Sequence, residues 1–589
     1  MISLSDILRS REFHLPLAIL ACIGIAFFFR EPVLYGVAIF AGAAQLLLES
    51  YERIRRGKWT LDYLAFITLA TALILNALFA GAVIALMVAV SAALEKYGTA
   101  YAAKTLKGLF ENIPKTALRM TDVGTAEVPL QAVRKGDVLL VRPNEMLAFD
   151  GYLLSERALL NEANLTGEMS PVLYTEASVL KSGAVNVGEM LKLHVLGDFE
   201  HSSYRKILSL VEEGKRHPSP IVRLAEKYNI VFTVFSLLFA FGAYALSGDW
   251  ERFLAVLVIA TPCPLLIAAP ISFIGGLNKA ARKNIIIKSP LVLELLAKTK
   301  TFFFDKTGTL TLGEPHLKKV QLLDGSFSRE KALAVASALE WHSFHPIAKA
   351  IVKEYARYDG EVLVAHDVEE KIGEGIFGTV LGKRFGVVQA DRTMGYGIIV
   401  DVVDDNRPVA RFFFDDELKQ DVERVFGYLR ERGYALGILT GDRKANAERL
   451  FGHFRLPIYA ECRPERKTEL VQRYQREGKL VGMVGDGMND APALALADVG
   501  IVFSGTENSA SIEAADVAIF GRDAWLIRDA IHIGRRSYHV ALQSILIGIG
   551  LSVAGMTLAF FGFIPPVYGA VVQEAIDAVV IINALRSTY

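Results

Sequence analysis

Three apolar blocks alternate with two charge-rich stretches along the chain. A helix needs roughly 20 apolar residues to cross a hydrocarbon core about 30 Å thick. On that measure the first block predicts four spanning helices, over 14–29, 33–48, 61–77 and 78–94. The second predicts two, over 228–246 and 252–277, and the third two more, over 539–563 and 567–585. Breaks fall at Arg30-Glu31-Pro32, Ser247-Gly248-Asp249 and Ile564-Pro565-Pro566, whereas only Asn76 parts the third helix from the fourth. The first run ends in Arg-Glu-Pro and not in a small-residue cleavage site, so it is read as a retained anchor.

Charge orients these helices. Arg9 and Arg11 precede the first, Arg53, Arg55, Arg56 and Lys58 lie between the second and third, and Lys96, Lys104 and Lys107 follow the fourth. The other short connections are nearly free of Lys and Arg, so the basic side is assigned to the cytoplasm. The polar stretches 98–227 and 278–538 then also face the cytoplasm. Composition agrees with a multi-pass protein in a lipid bilayer: 52% of residues are hydrophobic, high for a soluble enzyme. Lys+Arg and Asp+Glu are equal at 64, so no basic excess points to nucleic acid. Cys22, Cys263 and Cys462 are far apart and form no CxxC pair, which argues against a disulfide framework or a Cys-based metal-binding appendage. No metal-binding domain is expected ahead of the first helix.

The polar stretches carry the chemistry. Phe302-Phe303-Phe304-Asp305-Lys306-Thr307-Gly308-Thr309 reads as a strand that releases a carboxylate at its C-terminal edge, where open α/β sheets bind ligands. Such a carboxylate can attack a phosphoryl group and form an aspartyl-phosphate. Thr307 stands where a soluble phosphatase of this kind would carry a second, acid-base Asp, so the intermediate is expected to persist. Gly437-Ile438-Leu439-Thr440-Gly441-Asp442 is a second strand-to-loop edge, with the Thr440 hydroxyl suited to phosphoryl oxygens and Asp442 beside it. Lys467, in Cys462-Arg463-Pro464-Glu465-Arg466-Lys467, would neutralise their charge. The strand 481–484 leads to Gly485-Asp486-Gly487-Met488-Asn489-Asp490-Ala491-Pro492, where Asp486 and Asp490 suit Mg²⁺, a hard cation.

With DKTGT and GDGxNDAP in this order the chain resembles a P-type ATPase from about residue 60 to its end. The resemblance implies a multidomain membrane protein with about eight transmembrane α-helices, a β-rich actuator domain, a haloacid-dehalogenase-like α/β phosphorylation domain and an α+β nucleotide-binding domain. The expected division is helices 1–4 over 1–97, actuator over 98–227, helices 5–6 over 228–277 and helices 7–8 over 539–589. The phosphorylation domain takes 278–314 and 436–538, with the nucleotide-binding domain inserted as 315–435. The Thr166-Gly167-Glu168 loop then belongs to the actuator, with Glu168 positioning the water that hydrolyses the Asp305 phosphate. His345-Pro346 and the Gly373–Gly378 turn resemble the nucleotide pocket of the heavy-metal (type IB) branch, with His345, Pro346, Gly373 and Gly375 as its residues. Phe344 departs from the Glu common at that place. The substrate and cofactor implied are ATP and Mg²⁺.

Within the sixth apolar segment, Thr261-Pro262-Cys263-Pro264 places a soft ligand between two prolines that cannot donate backbone hydrogen bonds. Unwound backbone at membrane depth is tolerated where it lines a cavity or is packed in protein. Type IB pumps resemble this chain in that element and in two leading helices. The last helix adds Gln573-Glu574-Ala575-Ile576-Asp577, with Glu574 and Asp577 on roughly one face. By register with relatives, Gln573-Glu574 stands where His-Glu or His-Asp is frequent, and Asp577 is an addition. One thiolate, one or two carboxylates and Thr261 favour a divalent cation of the cobalt, nickel, iron or zinc class over Cu(I). The expected activity is therefore ATP-driven export of such a transition-metal ion by a monomer in the inner membrane, its catalytic domains cytoplasmic. The alternatives are a P-type pump for a non-transition-metal cation and a membrane-anchored phosphatase.

Overall fold

The computed structural model describes residues 13–55, 63–102, 114–121, 124–162, 171–202, 205, 220–260, 263–343, 345–358, 362–371, 374–390, 398–405, 407–485, 490–503, 514–521 and 523–589. The chain divides into two compact units, Met1–Lys298 with Asp529–Tyr589, and Thr299–Arg528.

The first unit opens with α1 (His14–Phe29), α2 (Pro32–Arg55), α3 (Tyr63–Ile74) and α4 (Leu78–Ala102). Arg30, at φ 56°, ends α1 in the left-handed region and returns its N–H to the Ala26 carbonyl, while Pro32 starts α2. Asn76 takes the same left-handed turn at φ 52°, so this one residue suffices to separate α3 from α4. A β-rich part follows: β1 (Thr116–Thr121), β2 (Gly124–Pro129), β3 (Val138–Val141), β4 (Gly151–Leu153), β5 (Arg157–Asn161), β6 (Val172–Thr175), β7 (Val179–Leu180), β8 (Val185–Asn186) and β9 (Leu191–Val195). They form two sheets, in the orders β2-β1-β3-β9-β4-β7 and β6-β5-β8. Along β9, Leu191, Leu193 and Val195 are buried and alternate with Lys192 and His194, the period-2 pattern of a sheet with one face on its core.

Four more helices complete this stretch: α5 (Pro220–Ser247), α6 (Trp250–Ile259), α7 (Cys263–Ala281) and α8 (Pro290–Lys298). The spanning segment expected over 252–277, with its helix unwound by the prolines around Cys263, is two helices. Helix α6 ends at Ile259 with Ala260 as its cap, and α7 begins at Cys263. The adjacent prolines account for the break, since neither can donate to the preceding turn. Thr261 and Pro262 lie outside the described residues.

The second unit begins with β10 (Thr301–Asp305), β11 (Thr311–Leu322), α9 (Arg329–Glu340) and α10 (Pro346–Tyr355). Next come β12 (Ala365–Lys371), β13 (Gly375–Val380), β14 (Lys383–Gln389), β15 (Ile398–Asp404), β16 (Arg407–Leu418), α11 (Val422–Glu431) and β17 (Ala435–Leu439). It closes with α12 (Lys444–Phe451), β18 (Ile458–Tyr459), α13 (Pro464–Arg476), β19 (Val481–Gly485), α14 (Ala491–Leu496), β20 (Val499–Phe503) and β21 (Val517–Ile519). Six of these strands run parallel in the order β21-β20-β19-β10-β17-β18. Every residue of β10, β19 and β20 is buried, as continuous apolar runs in a parallel sheet should be. An antiparallel sheet, β11-β16-β15-β14-β13-β12, is inserted in the chain between β10 and α11. Helices α9 and α10 contribute Leu333, Leu339 and Ile351 to a core shared with Val400, Val402, Phe412 and Phe414 of that sheet.

The chain ends in α15 (Trp525–Phe560) and α16 (Pro566–Leu585). Helix α15 is 36 residues long and starts at Trp525, well before the apolar pattern that predicts a start at 539. Among the described residues, three helices are long and apolar enough to cross a membrane: Leu78–Thr99, Trp525–Phe560 and Pro566–Leu585. His14–Phe29, Pro32–Leu48, Leu64–Ile74 and Val231–Ser247 are shorter apolar helices.

Candidate functional site

Strand β10 lies between β17 and β19 and delivers Asp305 at its C-terminal end. The carboxylate is buried, accepting from the Thr307 N–H at 2.9 Å and from Lys467 Nζ at 2.5 Å. Lys467 projects from the first turns of α13 and donates also to Asp490 Oδ1 at 2.6 Å. Three charges are therefore buried as one group. Burial alone would lower the Lys467 ammonium's pKa, but the charges of Asp305 and Asp490 and their hydrogen bonds raise it, so it stays protonated. Gly485 makes room for this arrangement, because a Cβ there would come within 2.8 Å of the Asp490 carboxylate.

The Thr440 edge lies alongside. Thr440 is buried, its hydroxyl accepts from the Asp442 N–H at 3.1 Å, and Asp442 pairs with Lys306 at 2.9 Å. Burial pulls the Lys306 pKa down, yet Asp442, then Asp416 and Asp305, raise it overall. Thr307 leaves its side chain exposed. The structure thus gathers Asp305, Thr440, Asp442, Lys467 and Asp490 at one sheet edge. Asp486 lies outside the described residues, as do Thr166, Gly167 and Glu168, which the chain places between β5 and β6. The carboxylates present are hard oxygen donors and fit Mg²⁺ in kind.

On the antiparallel sheet, His345 caps α10: its Nδ1 accepts from the Ile347 N–H at 3.3 Å, and Pro346 follows as the first helical residue. Gly375 and Gly378 sit in β13 and not in the turn expected of them; Phe344 and Gly373 lie outside the described residues. Gly375 has φ +149°, and a Cβ on it would meet the Val387 carbonyl at 2.2 Å, so no side chain fits. Glu340 was not singled out by the sequence pattern. It is buried at the end of α9, and its carboxyl is pushed up to about 7, first by burial and then by Glu370. Glu370 in turn accepts from Ser343, two residues before His345, at 2.9 Å. No local sequence signal marks Glu340, because every residue from Ala332 to Glu340 is buried by neighbours from other parts of the chain.

In the membrane-type helices, Asp577 of α16 is buried and takes hydrogen bonds from Ser91 of α4 at 2.5 Å and Gln573 at 3.0 Å. Both carboxylate oxygens of Glu574 are buried, with no hydrogen-bond partner among the described residues. Ser544 of α15 accepts from Asn583 at 2.8 Å, whereas the buried Ser552 hydroxyl has no described partner. Cys263 is the first residue of α7, with its side chain outside the described set. Among the described residues no three His, Cys, Asp or Glu side chains cluster as a metal site.

An aspartate at the central edge of a parallel sheet, held by a buried lysine that also holds a second aspartate, defines a phosphoryl-transfer domain of the haloacid-dehalogenase class. Residues 299–498 match the haloacid dehalogenase-like hydrolase family, and residues 111–212 match the P-type ATPase actuator domain. A cadmium, zinc and cobalt-transporting ATPase of Bacillus subtilis (strain 168) is 30% identical over 515 residues, covering 82% of this chain and 72% of the relative. A zinc-transporting ATPase of Synechocystis sp. (strain ATCC 27184 / PCC 6803 / Kazusa) is 31% identical over 517 residues, 84% and 71% of the two chains. The crystal structure of a zinc-transporting PIB-type ATPase in the E2.Pi state superposes with a TM-score of 0.65 at 27% identity, covering 99% of this chain and 100% of that one. The chain belongs to the P-type ATPases, in their heavy-metal, type IB branch. It is an ATP-driven ion transporter, which sets aside the membrane-anchored phosphatase.

Proposed function

We propose that this protein exports a divalent transition-metal cation of the cobalt, nickel, iron or zinc class, driven by phosphorylation of Asp305. The observation that carries the cargo reading is Glu574: a carboxylate buried in an apolar helix, both oxygens without a described partner. A buried anion is costly unless a cation or proton joins it, and such a group marks an ion site by default. Cys263, at the start of α7, adds a soft donor to the proposed set, with Asp577 and Thr261 as further members. The relatives named for cadmium, zinc and cobalt support this class.

In this reading the eight apolar segments span the inner membrane, the catalytic domains face the cytoplasm, and the domains divide at the expected boundaries. ATP lodges its adenine near His345-Pro346 and the Gly373–Gly375 backbone. An Asp305 oxygen attacks the γ-phosphorus, the bond to the bridging oxygen breaks, and ADP leaves. Lys467 neutralises charge on the transferring oxygens, Thr440 hydrogen-bonds them, and Asp442 fixes Lys306 beside them. Asp490, with Asp486, would hold Mg²⁺, which supplies further charge neutralisation when bound. Glu168, with Thr166 and Gly167, orients the water that later cleaves the aspartyl-phosphate; Thr307 cannot act as acid or base there. The two states must differ in metal affinity for the cycle to move an ion. The pump acts as a monomer.

A harder, non-transition cation is the second reading, favoured by the carboxylate character of the described donors in α16. ATPase activity of the purified protein across Co²⁺, Ni²⁺, Fe²⁺, Zn²⁺, Cd²⁺, Mn²⁺ and Cu⁺, beside Ca²⁺ and K⁺, separates the two. Stimulation by one or two divalent transition metals, lost in Cys263→Ala, is the expected result. Stimulation that survives Cys263→Ala would transfer the reading to the harder cation.

A further inference from the structure

One run of charges has no part in the assignments above: Asp415-Asp416-Glu417-Leu418-Lys419, where β16 leaves the antiparallel sheet. Its charged members grip α12, β11 and the loop between β10 and β11. Asp415 pairs with Arg449 of α12 at 2.6 Å, and Glu417 pairs with Lys318 of β11. Asp416 accepts from the Thr311 hydroxyl at 3.3 Å and lies 3.6 Å from Lys306. Lys419 is buried: its backbone N–H donates to the Leu310 carbonyl at 2.9 Å, and its Nζ donates to the Gly308 carbonyl at 2.7 Å. The same ammonium sits 3.8 Å from the centroid of the Phe503 ring at the end of β20.

Three features make this more than a surface charge run. Exposed ion pairs contribute little and need no buried partner, whereas a buried ammonium must be held by acceptors or a π-face. Two carbonyls that accept from Lys419 lie in the loop that follows Asp305, and one belongs to Gly308, which is in the left-handed region at φ 69°. Strands β11 and β16 are the covalent entry and exit of the antiparallel sheet, paired from Thr311↔Leu418 onward, so Lys419 stands where any motion of that sheet reaches the Asp305 loop.

We propose that Lys419 is a positioning residue for phosphoryl acceptance: through the Gly308 and Leu310 carbonyls it holds the Asp305 loop in register with the strand that returns from the nucleotide-binding sheet. Asp416 reinforces the register through Thr311 and Lys306. This rests on Asp305 being the acceptor. Lys419 touches neither nucleotide nor the reacting oxygens in this account, so its loss slows transfer and leaves nucleotide binding intact.

The test is quench-flow labelling of the full-length protein with [γ-³²P]ATP in saturating Zn²⁺, beside the Kd of a non-hydrolysable ATP analogue. Lys419→Met is expected to slow labelling about 10- to 100-fold, the range that a misplacement near 1 Å produces, with Kd within about twofold. Lys419→Arg keeps charge and donor and is expected to restore the rate to within about threefold. A Lys419→Met protein that folds and labels at the wild-type rate, or fails only through a weaker Kd, overturns the proposal. Should Lys419→Met not fold, Phe503→Leu replaces it, removing the ring beneath the ammonium: labelling slowed about two- to fivefold at unchanged Kd supports the proposal, and an unchanged rate overturns it. Asp305→Asn runs in parallel, and label on that variant would refute the acceptor assignment itself, whatever Lys419 does.

Discussion

Buried charge is handled in opposite ways in the two units. In the second, Lys467 lies between Asp305 and Asp490 at hydrogen-bond distance from both, so each charge has an opposite partner before any ligand arrives. In the first, Glu574 has two buried oxygens and no described partner, although Asp577 nearby is braced by Ser91 and Gln573. The difference teaches what each place is for. A preorganised cluster suits chemistry that stabilises charge already aimed at a known position. An unsatisfied carboxylate in an apolar helix suits an ion that must come and go, because a site that is fully satisfied without cargo gains little by binding it.

The contrast can be broken most severely at the paired site. Lys467→Met leaves two carboxylates facing each other without their cation, a change that costs about 3–5 kcal/mol when one partner of a buried pair is removed. Phosphoenzyme formation should fall below detection, and chemical denaturation of the phosphorylation domain should shift to lower denaturant. A Lys467→Met protein with an unchanged midpoint would mean the cluster is not a coupled buried group.

At the unpaired site the expected outcome reverses for stability. Glu574→Gln keeps the shape and removes the ability to carry charge for a cation, so the thermal midpoint should hold or rise while metal-stimulated ATPase falls at least about tenfold. Loss of stability with activity retained would mark Glu574 as structural. Asp577→Asn, which keeps shape and can still meet Ser91, should cost less activity than Glu574→Gln; metal titrations of the two variants compare them.

The smallest effect concerns Glu340. Its carboxyl titrates near 7, above the usual carboxylate range, because burial and Glu370 disfavour its charge. The sign follows: the folded form binds the proton more tightly than the unfolded chain, so this stability is fully present below the ordinary carboxylate pKa. It is lost as pH rises through about 7. Hydrogen exchange in α9 should quicken from pH 5.5 to 8, beyond intrinsic chemistry, by up to about 2 kcal/mol of local stability, because only the rise from 5.5 to about 7 contributes. Glu340→Gln should flatten that slope, and a slope unchanged in the variant would locate the titration elsewhere.

Much of this was legible in the sequence, for physical reasons that also explain the rest. Asp305 announces itself because a strand buried on both faces must be apolar up to the residue that leaves the sheet, and Phe302-Phe303-Phe304 is such a run. His345-Pro346 reads as a helix start because proline suits the first turn. Asn76 alone could end a helix because its left-handed turn needs no second residue. The split at Cys263 followed from proline's missing N–H. The start of α15 at Trp525 was hidden, since a helix that continues beyond its apolar segment carries no hydropathy edge. Gly375 and Gly378 were read as a turn, yet a glycine in a strand can equally mark close approach, here of the Val387 carbonyl to Gly375. Glu340 and Lys419 were invisible for a third reason: a single charged residue shows its burial only when its neighbours from distant parts of the chain are in place.

In the proposed cycle an ion at the unpaired site licenses chemistry at the paired one. Labelling the purified protein with [γ-³²P]ATP, with and without Zn²⁺ or Co²⁺, and mapping the label tests it most directly. The expected result is a hydroxylamine-labile phosphate on Asp305 that forms only with metal, vanishes in Asp305→Asn and is lost in Glu574→Gln. Label that forms equally without metal, or that persists in Asp305→Asn, would contradict it.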